Sequence, residues 1–142
     1  MMTKHKPLIY LGCALTNAPR SFLDDIDQLR ASILPYANVL HYLGLHHPSV
    51  GDAFQYDINC VRRCDLFIGN ATLPSLGLGI ETGVAIENHK PIISLADDKL
   101  AAERLLIWGY WDPLHYRLRY KSIDEAAAFV IEIINELFPD SE

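Results

Sequence analysis

At 142 residues, half of them hydrophobic and 21% charged, the sequence has the composition of a soluble globular chain of one domain's size, here taken as 1–142. A formal net charge of −6, with Lys and Arg scattered, excludes the basic stripe of a nucleic-acid polymer binder while leaving room for a small phosphorylated ligand. No stretch reaches the roughly 18 apolar residues of a membrane span. No apolar signal segment precedes the first strand, so a cytoplasmic location with reduced thiols is expected.

Leu8–Gly12 is an apolar run ending in glycine, suited to a buried parallel strand. Ser21 to Pro35 carries Phe22, Ile26, Leu29 and Ile33 at helical spacing, with Ser21 and Asp24 as the expected N-terminal cap. Val39–Leu43 reads as a second strand and Leu45 to Gly51 as a loop. Asp52 to Arg63 is a predicted helix, and Asp65–Gly69 a third strand. Asn70 to Gly79, rich in Pro and Gly, leads into a helix from about Leu78 to Asn88. Pro91–Leu95 is the fourth strand, Asp97 to Leu106 a helix, Trp108–Pro113 an aromatic turn and Tyr116–Tyr120 a short fifth strand. Ser122 to Phe138 is the last helix, with the stripe Ile123, Ala127, Val130, Ile134, Leu137 and a capping box of Ser122 with Glu125.

Strands alternating with helices imply an α/β chain whose mainly parallel sheet is covered on both faces. Five strands favour a flavodoxin/Rossmann-like three-layer sandwich in the order 2-1-3-4-5, with strand one beside strand three at the switch point. Ligands of such sheets bind beyond the carboxyl ends of the strands, so the expected site lies between the loops after Gly12 and after Gly69.

The segment Asn70 through Ala85, NATLPSLGLGIETGVA, occupies that end. Ser75, Gly77 and Gly79 stand where a helix begins, and free amides at a helix N-terminus attract anions. Glu81 falls in or just past the first turn, where the helix dipole favours the charged form. A nucleophilic carboxylate ionised at neutral pH is the functional expectation; a solvated surface acid is the plain alternative. Asp57 lies on the preceding helix, where it either faces Glu81 or is a surface acid. Two facing carboxylates divide labour as in glycosidases, one attacking the sugar carbon and the other handling the leaving group's proton. Tyr10, at the end of strand one, either orients Glu81 or fills the core.

These residues are recognisable together. PSLGLGIETGVA, the upstream YDIN and RCDLFIGNAT, and the opening LIYLGCAL resemble the nucleoside 2-deoxyribosyltransferase superfamily, most nearly its 2′-deoxynucleoside 5′-monophosphate N-hydrolase branch. The resemblance runs from Leu8 to Leu95. It implies Glu81 as the nucleophile forming a glycosyl-enzyme, Asp57 as the acid near the leaving base, Tyr10 as the residue steadying Glu81 and Ser75 as a ligand of the 5′-phosphate. It also implies a homodimer or higher homo-oligomer, a small-molecule nucleoside or nucleotide partner, and neither metal nor organic cofactor.

In the loop after strand one, the branch's phosphate-binding serine and arginine are replaced by Ala14 and Thr16. Arg20, or Arg104 of a neighbouring chain, are the candidates to supply the lost charge. The WGYWDPLHY stretch also departs from the family, with Trp108, Tyr110 and Trp111 available for base stacking, for a dimer contact or for a structural role. Cys60 with Cys64, and His41, His46 and His47, have no regular metal-site spacing. Three functions remain open at this point: a nucleotide N-hydrolase, a base-exchanging deoxyribosyltransferase, and a nucleotide-binding or sensor module without turnover.

Overall fold

The computed structural model describes residues 5–40, 49–99 and 105–139. The chain runs β1 (Leu8–Cys13), α1 (Arg20–Ile33), β2 (Asn38–Leu40), α2 (Val50–Arg63), β3 (Leu66–Asn70), α3 (Leu76–Glu87), β4 (Ile92–Asp97), a short 3₁₀ turn (Leu106–Gly109), β5 (His115–Tyr120) and α4 (Ile123–Leu137). All strand pairs are parallel, in the order β2-β1-β3-β4-β5. The expected sheet order and switch point are therefore present.

Alternation along each strand divides the core. Ile9, Leu11, Ile68, Ile93 and Leu95 pack with Phe22, Ile26 and Leu29 of α1 and Val130 and Ile134 of α4. Tyr10, Phe67 and Ile92 face the other way, against Cys60 and Val61 of α2 and Leu78 and Ala85 of α3. Tyr10 thus points towards the two helices that carry the carboxylates.

Several boundaries move for identifiable reasons. Pro19, not Ser21, caps α1; its φ of −60° and extended ψ suit the position, its carbonyl accepts from Phe22 and Leu23, and no side chain completes the cap. Ser49 caps α2 through Asp52 N–H, so the helix begins at Val50. Leu8 N–H donates to the Asp65 carboxylate at 2.7 Å, and β3 begins one residue later. The expected helix from Asp97 to Leu106 is not formed at either described end. Asp97 instead completes β4 in register with Tyr120, and Leu106 opens the 3₁₀ turn. Residues 100–104 lie outside the described part, as do the last three residues of the expected second strand.

Cys60 and Cys64 are buried free thiols. Burial pushes the Cys64 thiol up to about 11, and its Sγ donates to the Val61 carbonyl. The three histidines considered for a metal lie outside the described residues. No helix among the described residues is long and apolar enough to cross a membrane.

Ile68 is fully buried at the centre of the α1/α4 face, whereas Leu34 is half exposed after α1. Ile68→Ala should cost about 2–5 kcal/mol in urea unfolding, and Leu34→Ala no more than about 0.5 kcal/mol.

Candidate active site

Gly12 and Gly69 are paired in register at the carboxyl ends of β1 and β3. Neither has a side chain, and α3 uses the space. A Cβ on Gly12 would stand 3.0 Å from Leu78 Cδ1, 3.3 Å from Glu81 Oε1 and 3.3 Å from Tyr10 Cε1; one on Gly69 would stand 3.4 Å from Leu78 Cδ1. The two glycines are the seat on which the first half of α3 rests.

That helix begins at Leu76, two residues before its predicted start, because Ser75 caps it. Leu78 N–H donates to Ser75 Oγ at 3.1 Å. Gly77 and Gly79 are therefore inside the first turn, and Glu81 is in the second. Resting on the sheet carries Glu81 inward, and Tyr10 O–H donates a short hydrogen bond to Glu81 Oε2. The Tyr10 ring is itself held by stacking on Phe67, 5.8 Å between centroids and 10° between planes.

Burial dominates the electrostatics. The Glu81 carboxyl is pushed up to about 7, first by desolvation and further by the Asp57 charge, against a lowering contribution from the Tyr10 hydrogen bond. The expectation of a fully ionised carboxylate is thereby corrected. At the second turn the helix dipole no longer offsets the loss of water. Tyr10 is raised well above the ordinary phenol range by burial and then by the Glu81 charge, so it remains a neutral donor.

A cavity of about 340 Å³ opens over this pair. Tyr10, Asp57, Ser75, Gly77, Glu81, Gly12 and Thr16, all singled out in the sequence, line it together. Asp57 is on α2 and Glu81 on α3, helices that pack against each other. Ser75 and Gly77 bring the N-terminus of α3 to the cavity wall.

Three other candidates are placed elsewhere. Ala14 is buried and does not line the cavity. Arg20 is turned to solvent, with its guanidinium 2.9 Å from Asp24 and 3.6 Å from Asp27. Its own helix supplies its carboxylate partners, and it does not line the cavity. Gly79 lies on the far side of α3, along a separate apolar groove that includes Leu106 and Tyr110. Arg104 is outside the described residues. No Lys or Arg is among the described residues lining the cavity.

The Trp108–Trp111 stretch has structural contacts away from the cavity. Arg117 donates to the Trp108 carbonyl and lies 4.6 Å from the centroid of Trp111. His115 Nδ1–H donates to the Tyr110 carbonyl at 2.9 Å, leaving Nε2 to accept from Ser94 Oγ at 2.8 Å. Burial lowers the His115 pKa, in keeping with this neutral form.

Sequence reading missed the apolar part of the lining, chiefly Val50, Ala53, Phe54 and Ile58 of α2 and Ile80 of α3. The signal was available: Val50, Phe54, Asp57 and Ile58 recur at helical spacing, so whichever face holds Asp57 also holds Phe54.

A doubly wound parallel sheet with two carboxylates lining one cavity at its switch point defines the fold class, α/β. No protein-family model matches the chain. Over 93 residues it is 31% identical to a protein of Thermofilum pendens inferred to be a 2′-deoxynucleoside 5′-phosphate N-hydrolase. That match covers 63% of this chain and 61% of the relative, so the relative is matched over about three fifths of its length. Among solved structures, a CMP N-glycosidase from Clostridium botulinum superposes with a TM-score of 0.66 at 22% identity, over 87% of this chain and 97% of the other. A 2-deoxyribosyltransferase from Leishmania mexicana gives 0.63 at 17% identity, over 89% and 97%. A conserved protein from Enterococcus faecalis V583 gives 0.58 at 13%, over 94% and 99%. In sequence the chain is therefore similar to an N-hydrolase over part of its length, and in fold to a CMP N-glycosidase and a 2-deoxyribosyltransferase.

Glu81 makes stability depend on pH. The folded chain keeps this proton up to about pH 7, the unfolded chain only to the ordinary 4.5. Between these values the folded state holds more protons, so stability falls as pH rises. Glu81→Gln cannot ionise. Its unfolding free energy should match the wild type near pH 4 and exceed it by a few kcal/mol at pH 8, because each tenfold difference in proton affinity between folded and unfolded chains is worth about 1.4 kcal/mol. Equal stability at both pH values would contradict this placement of the carboxyl. Gly12→Ala should cost about 1–3 kcal/mol by crowding Leu78 and Glu81, as read by thermal unfolding.

Proposed function

We propose that the chain cleaves the N-glycosidic bond of a 2′-deoxynucleoside 5′-monophosphate, with water as final acceptor. The observation carrying this reading is Glu81, desolvated and held by Tyr10, in one cavity with Asp57. In the first step the Glu81 carboxylate attacks the anomeric carbon. The carbon–nitrogen bond breaks, its electron pair leaves with the base, and the base takes a proton through Asp57. In the second step Asp57 receives a proton from water as the water attacks the glycosyl ester, releasing the sugar and regenerating Glu81.

Tyr10 positions the nucleophile rather than reacting, since a neutral phenol fixes one carboxylate oxygen and leaves the other for attack. Removing water from Glu81 also leaves the carboxylate less stabilised before attack. The monophosphate part of the reading is supported by Ser75 and Gly77 at the α3 N-terminus and by the name of the Thermofilum pendens relative. The same reading takes the active form to be a homo-oligomer.

One observation favours a second reading, base exchange between nucleosides. Arg20 is paired outward, and Thr16 is the polar side chain that the loop after β1 gives to the cavity. A neutral nucleoside needs no cation there. Each deoxynucleoside monophosphate and deoxynucleoside should be incubated with enzyme, with and without a second base. Release of free base from monophosphates is the expected result; new nucleoside in the presence of the second base would favour transfer instead. Glu81→Ala should lower kcat by about 10³-fold or more, and kcat/KM should fall below about pH 7 as Glu81 takes up its proton. Wild-type enzyme that releases no base from any of these substrates would overturn the proposal.

A further inference from the structure

The cavity-facing stripe of α2 changes character along its length. At its C-terminal end Ile58 and Val61 are buried in the core. One turn earlier, Asp57 meets the cavity. One turn earlier again stands Phe54, which lines the same cavity yet leaves 52% of its surface exposed. Across the opening Ile80, next in sequence to Glu81, is likewise an exposed apolar side chain on the cavity wall. Exposing a large aromatic ring beside two carboxylates gains nothing for the fold, because its area stays largely in water.

The proposed chemistry orders the cavity. Glu81 attacks one side of the anomeric carbon and Asp57 serves the leaving side, so the leaving group extends past Asp57 along α2. Phe54 is three residues from Asp57, a rise of about 4.5 Å and nearly one helical turn, on the same face. A planar heterocycle leaving past Asp57 meets the Phe54 ring. We infer that Phe54 is the stacking platform for the leaving base and that it sets a preference for purines, an inference that rests on the N-glycosidic reading.

Stacking tolerates any base but grows with the area of the ring, which favours the bicyclic purines. It is present before and during bond cleavage alike, so its loss appears in KM rather than kcat. Phe54→Leu retains an apolar side chain without the aromatic face. It should raise KM for purine substrates about tenfold, with a smaller rise for pyrimidines and the loss carried by KM. Phe54→Tyr should restore the wild-type pattern, and the melting temperature should stay within a few degrees, since the ring is half exposed. A calorimetric titration with free adenine separates this inference from the catalytic reading. Wild type should bind adenine about tenfold more tightly than Phe54→Leu, whether or not any substrate is turned over. Equal adenine affinity in the two proteins, or a KM rise equal for purines and pyrimidines, would overturn the role of Phe54. Failure to release base from any substrate would overturn the catalytic reading alone.

Discussion

The hydrogen bond from Tyr10 to Glu81 is the constraint on which the site depends, because it joins two elements that the chain brings together from distant positions. It exists only if α3 comes close to the sheet, and α3 comes close only because Gly12 and Gly69 lie side by side without side chains. Leu78 occupies that seat, one turn before Glu81. Packing therefore sets the depth of the carboxylate, and Tyr10 then sets its direction. A carboxylate so deep would be costly without a donor. A tyrosine whose proton is itself hard to remove is a suitable donor, since it cannot become a second negative charge beside the first.

Placing Asp57 against the same cavity adds to the charge problem, and its effect appears as an upward push on Glu81. Two acids lining one half-buried cavity are suited to exchanging a proton with a ligand. Arg20 takes no part in that cavity. It has carboxylate partners, but on the solvent side of α1, where they contribute little to stability.

Much of this arrangement was legible in the sequence because it follows from periodicity. Alternation in LIYLGC puts Ile9 and Leu11 on one face and Tyr10 and Gly12 on the other, and the strand order follows from regular alternation with helices. Ser75 was legible as a helix-start residue, although placing the start two residues late put Glu81 nearer the dipole than it is. The protonation of Glu81 was not legible, because it depends on how deeply α3 sits, which is a property of packing. Nor was the placement of Gly79, whose side of the helix turns on that same start. The segment after β4 misled for another reason. Asp97 and Asp98 suit a helix start, but pairing with Tyr120 extends the strand first, a contact across more than twenty residues. Phe54 was passed over because an apolar residue at helical spacing reads as core; its spacing places it on one face with Asp57, and its exposure in the folded chain sets it apart from the core.

The division of labour between sheet and helices explains how low identity coexists with a shared fold. The sheet carries the register that pairs Gly12 with Gly69 and aims Tyr10, and these depend on backbone geometry and small side chains. Structures at 22% and 17% identity still superpose over most of both chains, as expected if sheet and helix packing persist while side chains change. The α2 stripe is less constrained. Its C-terminal half must fit the core at Ile58 and Val61, whereas Val50 and Phe54 nearer its start are exposed on the cavity wall. Substitutions at Val50 or Phe54 therefore meet little resistance from folding. Along a single helix, stability fixes one end and leaves exposed positions at the other free to vary.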